Sequence, residues 1–229
     1  MKEAVILAGG FGTRLRSVVS DVPKPMAPVA GRPFLEWLID YLIGYGYTHL
    51  VLSTGYMADR IEQHFGSMYK GVPLHYAVEH EPLGTGGGIK NALSLCEQDT
   101  VTVLNGDTLF RVDYNTLAAF HQSHSSRLTL FLRHVADTSR YGAVETDAQQ
   151  RLCAFREKAD SGGEGWINGG IYMMRRSLLD GYNGAFSFER DVMQARYATE
   201  PFYALPSDAY FIDIGVPEDY KRANIEFIQ

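Results

Sequence analysis

A glycine-rich segment follows the first apolar run of the chain, at residues 7–15, and reads LAGGFGTRL. A turn of this kind between a strand and a helix presents backbone N–H groups that can bind phosphate oxygens, and the start of the helix adds a favourable dipole. Arg14 adds a fixed positive charge whose fork geometry suits phosphate. The segment therefore indicates a phosphate site; the alternative is a tight structural turn with Arg14 at the surface.

Three common phosphate-binding patterns do not fit the sequence. The dinucleotide fingerprint requires a third glycine where Leu15 stands, and Walker A requires Lys-Ser or Lys-Thr where Thr13 and Arg14 follow the last glycine. A second run, residues 84–90, has Ile89 in place of the required glycine. The downstream motifs of a protein kinase are absent from the sequence. These departures disfavour a dehydrogenase, a P-loop hydrolase and a kinase.

Lys24 lies ten residues after Arg14 and stands between Pro23 and Pro25. Prolines on both sides predict a stiff, extended segment, so the lysine would lose little conformational entropy on binding an anion. The alternative is a solvated lysine in a proline-rich turn. The short separation from Arg14 favours a shared anion.

Two aspartates lie at the ends of apolar runs that predict β-strands. Asp107 follows residues 101–104, and Asp213 is flanked by Ile212 and Ile214. Ligands of doubly wound sheets collect outside the carboxyl ends of strands, and a carboxylate among apolar side chains is costly to bury without a cation. Two carboxylates, nucleotide phosphates and water form a coordination that Mg²⁺ prefers. The pair predicts a magnesium site, although each alone could be a turn aspartate or a helix-capping residue.

The elements that must position these residues alternate between apolar runs and helical patterns. The predicted elements of the first half are strand 3–8, helix 34–45, strand 50–53, helix 58–65, strand 74–78, helix 88–95 and strand 101–104. Such alternation is typical of an α/β fold with a doubly wound, mostly parallel, Rossmann-like sheet. Later strand-like runs at 128–134, 152–155, 171–174 and 210–214, with a final helix at 217–227, predict a mixed C-terminal extension of that sheet. We expect residues 1–229 to form a single domain.

The composition narrows the class of protein. The chain carries 21 lysines and arginines against 27 aspartates and glutamates, a formal net charge of −6, which disfavours nucleic-acid and anionic-membrane partners. No apolar run approaches the about 20 residues of a membrane span, and no signal peptide is recognisable, so we expect a cytoplasmic protein. Cys96 and Cys153 are too far apart in sequence to suggest a zinc or redox site. His121 and His124 could share a helix face, but we expect them to be exposed.

Seven separated segments together resemble the sugar-1-phosphate nucleotidyltransferases. They are residues 7–15 (LAGGFGTRL), 23–25 (PKP), 81–87 (EPLGTGG), 105–107 (NGD), 157–158 (EK), 168–172 (NGGIY) and 211–215 (FIDIG). The resemblance implies a nucleotidyltransferase fold of the GT-A-like type and an enzyme that joins a sugar 1-phosphate to a nucleoside triphosphate, releasing pyrophosphate. Residues 17–29 and 82–90 look most similar to the D-glycero-α-D-manno-heptose 1-phosphate guanylyltransferases, with the mannose-1-phosphate guanylyltransferases next.

The resemblance also implies roles on the nucleotide side. The residues concerned are Ala8, Gly9 and Gly10 at the base and ribose, Gly12, Thr13 and Arg14 at the triphosphate, and Glu79, Gly84 and Thr85 in the base pocket. A glutamate suits guanine, because one carboxylate can accept hydrogen bonds from both N1–H and the N2 amino group. Related uridylyltransferases can also carry acidic residues there, so GTP is favoured without being required.

The remaining roles implied by the resemblance concern the metal, the charges and the sugar. The metal pair is Asp107 and Asp213 with Mg²⁺ as cofactor, the catalytic cations are Arg14, Lys24 and Lys158, and the sugar-side residues are Tyr141, Gly142, Glu157 and Asn168. The alternatives are a surface ion pair for Glu157 with Lys158 and a plain turn for residues 168–170.

The predicted function is transfer of GMP from GTP to D-glycero-α-D-manno-heptose 1-phosphate. Alternatives are a mannose-1-phosphate guanylyltransferase, another sugar-1-phosphate uridylyl- or thymidylyltransferase, and a catalytically silent sugar-nucleotide sensor on the same fold. Retention of Arg14, Lys24, Asp107 and Asp213 together favours an enzyme, because a sensor does not need the whole charge set. The family often carries a C-terminal left-handed β-helix, which we do not expect here; a homo-oligomer is left open.

Overall fold

An eight-stranded sheet lies at the centre of the computed structural model, which describes residues 1–10, 15, 18–19, 21–139, 141–156 and 162–228. Its strands, in spatial order, are β13 (Phe202–Ser207), β9 (Leu128–Val135), β12 (Gly165–Arg175), β7 (Thr100–Asn105), β1 (Glu3–Leu7), β4 (His49–Thr54), β6 (Val72–Val78) and β5 (Met68–Tyr69). Strands β7, β1, β4 and β6 are parallel, whereas β12 is antiparallel to both β7 and β9. The predicted mixed extension of the sheet is confirmed for the runs 128–134 and 171–174, whereas the runs 152–155 and 210–214 lie in separate ribbons.

Short strands form three two-stranded ribbons beside this sheet in the described residues. They are β2 (Pro28–Val29) with β3 (Arg32–Pro33), β8 (Thr108–Phe110) with β14 (Phe211–Asp213), and β10 (Ala143–Thr146) with β11 (Leu152–Arg156). All three are antiparallel. The β8–β14 ribbon starts directly after β7, and it therefore positions both predicted metal ligands, Asp107 before β8 and Asp213 at the end of β14.

Helices pack on both faces of the sheet. The α-helices are α1 (Phe34–Gly44), α2 (Ala58–Phe65), α3 (Gly84–Leu93), α4 (Tyr114–Ser123) and α5 (Pro217–Glu226). Helices α1, α2, α4 and α5 bury side chains in one core, and α3 does so in the other, with a 3-10 helix (Arg176–Leu179) and a π-helix (Phe188–Gln194). On β1, Ala4 and Ile6 face the first core and Val5 faces the second. A strand buried on both faces reads as a continuous apolar run, which is why it was recognisable.

Most of the predicted helices and strands are present in the structure, but some elements were not predicted and the start of one helix differs. Helix α2 has the predicted bounds, and the predicted strands overlap β1, β4, β6, β7, β9, β11, β12 and β14. Helix α4 and strands β10 and β13 are among the elements that were not predicted. Helix α3 begins at Gly84 and not at Gly88, and it ends at Leu93.

The early start of α3 has a packing explanation. Glycine is a poor helix former, so residues 84–88 read as a loop. A Cβ at Gly86 would lie 2.2 Å from the ring of Phe186, and one at Gly87 would lie 2.7 Å from the carbonyl oxygen of Gly184. The first turn of α3 lies directly against the segment before the π-helix. Glycine is needed there because a larger side chain would collide with that segment.

His121 is buried, so the expectation that it would be exposed was wrong. It is 4% exposed on α4, where its Nδ1 atom is 3.0 Å from the Oγ1 atom of Thr129. Burial, with a smaller effect of the Arg175 charge, lowers the pKa of His121 to about 4. His124 is exposed as expected. The two cysteines are free, Cys96 buried and Cys153 exposed.

No helix among the described residues has both the length and the apolar character needed to cross a membrane.

Candidate active site

A cleft of about 560 Å³ opens at the carboxyl ends of β1, β4, β6 and β7. Residues that line it include Gly9, Gly10, Glu79, Gly84, Thr85, Asn105, Asp107 and Glu189. It lies where a doubly wound sheet is expected to bind its ligand. The cleft brings together three segments that the sequence singled out separately: the first glycine loop, the second glycine-rich run and the strand-end aspartate.

The β8–β14 ribbon brings Asp107 and Asp213 together. Asp213 pairs with Thr108 across the ribbon, and the backbone N–H of Ile214 donates to the carbonyl oxygen of Asp107 at 3.0 Å. Gly106 permits the turn into this ribbon, because a Cβ there would lie 2.6 Å from the carbonyl oxygen of Leu7. Backbone pairing therefore fixes the two carboxylates as neighbours although they are far apart in sequence.

Lys24 lies between the two aspartates. Its Nζ atom forms an ion pair with Oδ2 of Asp107 and is 3.9 Å from Oδ1 of Asp213. The side chains of Lys24, Asp107 and Asp213 are 11%, 29% and 14% exposed, respectively. Because all three are mostly shielded from water, the lysine compensates charge that burial would otherwise make costly.

The segment that carries Lys24 is not extended, as predicted, but turned. Residues Lys24–Met26 form one turn of 3-10 helix, closed by the backbone N–H of Ala27, which donates to the carbonyl oxygen of Lys24 at 3.0 Å. Pro25 fits near the start of such a turn, because the first N–H groups of a helix have no partner to lose. The prolines still restrict the backbone on both sides of Lys24, although the conformation is not the extended one that was predicted.

Gly215 leaves the space that this charged group occupies. A Cβ at this position would be 2.7 Å from Nζ of Lys24 and 2.7 Å from Oδ1 of Asp213. The same Oδ1 atom accepts a hydrogen bond from the backbone N–H of Gly215 at 2.7 Å. Asp213 thus closes a tight turn and does not cap α5, whose N-cap residue is Val216 and has no side-chain cap.

The donor set at this place fits a divalent cation that keeps other ligands. Asp107 and Asp213 offer carboxylate oxygens at one point, and the described residues contain no group of three or more His, Cys, Asp or Glu that could hold a metal alone. Mg²⁺ typically takes one or two protein carboxylates and completes its shell with water and substrate phosphates. The two aspartates match that requirement.

Glu79 sits just past the end of β6 with both carboxylate oxygens engaged. Oε1 accepts a hydrogen bond from the Ser53 hydroxyl at 3.1 Å, and Oε2 accepts one from the backbone N–H of Leu83 at 3.1 Å. A Cβ at Gly88 would lie 2.6 Å from Oε1, so α3 packs directly on this carboxylate. A carboxylate has about four lone-pair positions, which leaves acceptor capacity on the cleft side.

Thr85 and Glu189 connect the second glycine run to the π-helix. The Thr85 hydroxyl donates to Oε2 of Glu189 at 2.6 Å and accepts from the backbone N–H of Phe188 at 2.9 Å. Gly84, beside it, has a φ of +69°, which favours glycine. Glu189 lines the cleft but is not predicted from the sequence, because it lies 104 positions from Thr85 and in no recognisable motif.

The first glycine loop is described up to Gly10. Ala8 is fully buried and its backbone N–H donates to the carbonyl oxygen of Ser53 at 2.7 Å, so that N–H is not available to a ligand. Gly9 and Gly10 line the cleft. Five further candidates lie outside the described residues: Gly12, Thr13, Arg14, Glu157 and Lys158.

The sugar-side candidates Tyr141 and Gly142 lie beside the β8–β14 ribbon. The ring centroid of Tyr141 is 6.5 Å from that of Phe211, which stands two residues before Asp213. Gly142 is buried with a φ of +84°, and its backbone N–H donates to the carbonyl oxygen of Thr138 at 3.1 Å. The structure therefore brings Tyr141 close to the strand that carries a predicted metal ligand.

Residues 168–170 form a bulge inside β12, so the alternative of a plain turn was wrong. The register of β12 against β9 shifts between Asn168 and Tyr172. The Asn168 amide supports this bulge, because its oxygen accepts from the backbone N–H of Gly170 at 3.0 Å and its nitrogen donates to the Tyr172 hydroxyl at 2.7 Å. A Cβ at Gly170 would be 2.7 Å from the amide nitrogen of Asn105, which places the bulge against the cleft wall.

Comparisons with known proteins agree with this geometry. The family model described as "Nucleotidyl transferase" matches residues 3–229. The chain is 45% identical over 226 residues to the D-glycero-alpha-D-manno-heptose 1-phosphate guanylyltransferase of Aneurinibacillus thermoaerophilus, covering 98% of this chain and 97% of that protein. It is 38% identical to a mannose-1-phosphate guanylyltransferase of Mycobacterium tuberculosis, covering 99% of this chain and 65% of that protein.

A solved structure extends the likeness to the fold. The crystal structure of HddC from Yersinia pseudotuberculosis complexed with GMP-PN superposes with a TM-score of 0.87 at 40% sequence identity, covering 99% of this chain and 100% of that chain. The two chains thus share one fold along nearly their whole length. This chain belongs to the nucleotidyl transferase family.

Proposed function

We propose that this protein transfers GMP from GTP to D-glycero-α-D-manno-heptose 1-phosphate, forming GDP-heptose and releasing pyrophosphate. The observation that carries the proposal is the convergence of Lys24, Asp107 and Asp213 beside a cleft lined by Gly9, Gly10 and Glu79. The near full-length likeness to a heptose 1-phosphate guanylyltransferase supports the choice of sugar and base.

The cleft supports a purine nucleoside as the occupant of its inner part. Gly9, Gly10 and Glu79 all line the cleft, and Glu79 directly follows β6. Since Ser53 and Leu83 hold the Glu79 carboxylate in place, its remaining lone pairs are preorganised acceptors for the N1–H and N2 amino groups of guanine. Uracil and thymine offer a single N3–H donor, so they would use this acceptor less fully.

The proposed reaction requires the protein chiefly to hold two anions together, the nucleoside triphosphate and the sugar phosphate. A sugar phosphate is already a nucleophile near neutral pH, so no residue has to act as a general base. Lys24 would stabilise negative charge on the phosphates, and we assign Arg14 and Lys158 the same task by their motifs. The arrangement would favour attack of the sugar phosphate oxygen on the α-phosphorus in line with the departing pyrophosphate.

Asp107 and Asp213 would hold Mg²⁺ in this proposal. The ion would supply positive charge to the phosphate oxygens as pyrophosphate leaves. The β8–β14 pairing and the Asp213 turn keep the two carboxylates oriented before substrate arrives. Preorganised charge of this kind is worth most where water is largely excluded, and the low exposure of both side chains meets that condition.

The sugar would lie on the side of Tyr141 and the β12 bulge. Asn168 acts in this proposal chiefly by holding the bulge, because its amide oxygen and nitrogen are engaged with Gly170 and Tyr172. Glu157 is proposed to meet sugar hydroxyls by its place in the motif. We place the reaction in the cytoplasm and assign it to one domain formed by the whole chain.

A panel of nucleoside triphosphates crossed with sugar 1-phosphates, read as pyrophosphate release, tests the proposal. We expect the highest kcat/KM for GTP with the heptose 1-phosphate. Better use of UTP or dTTP would overturn the assignment of the base. No pyrophosphate release with any pair would favour the silent sensor.

Mannose 1-phosphate is the second candidate acceptor, favoured by the likeness to the mannose-1-phosphate guanylyltransferase. The heptose carries one more hydroxylated carbon, and a site built to bind that hydroxyl rejects the analogue that lacks it. We therefore expect kcat/KM to favour the heptose phosphate by at least roughly tenfold. Equal or better use of mannose 1-phosphate would instead indicate a mannose-1-phosphate guanylyltransferase.

A further inference from the structure

Lys24 occupies the position between the two carboxylates that the proposed function assigns to a metal ion. It pairs with Oδ2 of Asp107 and lies 3.9 Å from Oδ1 of Asp213. The hydroxyl of Thr108 donates to the other Asp107 oxygen, at 3.2 Å, and the backbone N–H of Gly215 donates to Oδ1 of Asp213. The ammonium group is therefore part of a small, closely fitted polar cluster.

A divalent ion and the ammonium group compete for the Asp107 oxygen that pairs with Lys24. Mg²⁺ binds carboxylate oxygens at about 2.0–2.1 Å, so an ion held by the oxygen that pairs with Lys24 would lie within a few ångströms of Nζ. Two cations at that distance repel each other, and the partial shielding of these side chains from water weakens the screening of that repulsion. Metal binding at that oxygen therefore requires the lysine side chain to leave it.

The surroundings restrict where Lys24 can rest before it moves. Its backbone lies in a 3-10 turn between two prolines, and Gly215 provides no side chain to separate it from Asp213. Its side chain is only 11% exposed, so it is held in the cluster and not extended into solvent. An anion arriving in the neighbouring cleft offers a second partner for the ammonium group.

We propose that Lys24 is an internal cation that blocks the metal position until an anionic substrate draws it away. In this mechanism the lysine positions the carboxylates in the substrate-free protein and disfavours metal binding there. The metal then enters together with the nucleotide. The identity of the anion rests on the proposed function, whereas the competition between Lys24 and the metal does not.

The test measures metal binding to the full chain with no nucleotide and no sugar phosphate. Mn²⁺ alone is titrated against wild type, Lys24→Met and Lys24→Gln, and free Mn²⁺ is read by electron paramagnetic resonance. Removal of a unit positive charge from the metal position should tighten Mn²⁺ binding by roughly tenfold or more. The gain should disappear in the Lys24→Met, Asp107→Asn double variant, which locates the effect at this carboxylate.

Lys70→Met is the matched control, because Lys70 also pairs with an aspartate, Asp40, but on the surface. It should bind Mn²⁺ as wild type does. Metal-dependent thermal stabilisation gives a second readout, and it should be larger for Lys24→Gln than for wild type. Equal or weaker Mn²⁺ binding by both Lys24 variants overturns the proposal. Because no substrate is present, that result is independent of whether the guanylyltransferase assay succeeds.

Discussion

The backbone N–H of Ile214 donates to the carbonyl oxygen of Asp107 at 3.0 Å. This hydrogen bond continues the pairing of β14 with β8, in which Asp213 lies opposite Thr108. A segment near the end of the chain is thereby fixed to the end of β7. The positions of the two predicted metal ligands follow from backbone pairing, so either side chain can be changed without removing the element that carries it.

Asp107→Asn and Asp213→Asn should each lower kcat on the order of 10²-fold or more, because each removes a negative charge from the proposed metal position. Asparagine keeps the side-chain shape, so thermal stability should change little. Pyrophosphate release at saturating substrates and Mg²⁺ measures the effect. Asp180→Asn, at an exposed position, is the control. An unchanged rate in either variant would remove that aspartate from the site.

Glu79→Gln should lower kcat/KM for GTP on the order of tenfold and should affect UTP less, because it replaces an acceptor oxygen by a donor. Since Oε2 also accepts from Leu83, a modest fall in thermal stability is expected. Ser53→Ala is the companion variant: it removes one donor to Glu79 but keeps the carboxylate, so the preference for GTP over UTP should persist. Equal losses for both nucleotides would argue against a base-reading role for Glu79.

Glu189→Ala should raise the KM for the nucleotide several-fold and change kcat less. The variant removes the acceptor of the Thr85 hydroxyl, and with it one of the two hydrogen bonds by which Thr85 ties the start of α3 to the π-helix. Steady-state kinetics with varied GTP separates the two constants, and Glu62→Ala, on the exposed face of α2, is the control. A fall in kcat alone would instead place Glu189 at the reacting groups.

Gly215→Ala should lower kcat roughly tenfold, because the added methyl group displaces Lys24 or the Asp213 carboxylate from their positions. Gly44→Ala is a matched control: a Cβ at Gly44, the last residue of α1, meets no atom within 4 Å. That control should keep full activity and equal or slightly higher stability. Full activity of Gly215→Ala would show that the cluster tolerates displacement.

His121 should make the fold sensitive to acid. Its pKa is about 4 in the folded protein, below the usual value of 6.5, because burial disfavours the charged ring. The unfolded chain takes up a proton first, so the stabilising contribution is complete above pH 6.5 and is lost progressively as the pH falls towards 4. The loss should reach up to roughly 3 kcal/mol.

Urea unfolding of wild type and His121→Gln between pH 7 and pH 4 tests this expectation. The difference in the free energy of unfolding between the two proteins should change over that interval in favour of the variant. His124→Gln, which alters an exposed histidine of the same helix end, should follow the wild-type profile. Parallel profiles for wild type and His121→Gln would contradict the role given to His121.

The sequence by itself determined the fold class, the family and most of the candidate residues. Strands buried on both faces, such as β1, read as unbroken apolar runs, and glycines beside them marked the loops that line the cleft. Asp107 was recognisable because it follows such a run, and Asp213 because it stands between Ile212 and Ile214. These patterns are local, so they can be recognised in the sequence without the structure.

Only the tertiary structure decided how those residues meet. Lys24 pairs with Asp107, and the Thr85 hydroxyl donates to Glu189. Asn168 holds a bulge against the cleft wall. The spacing of these residues in the sequence does not indicate any of these contacts. The glycines of α3 and the burial of His121 were misjudged for the same reason. What surrounds a residue is set by distant packing partners, and a local pattern does not contain them.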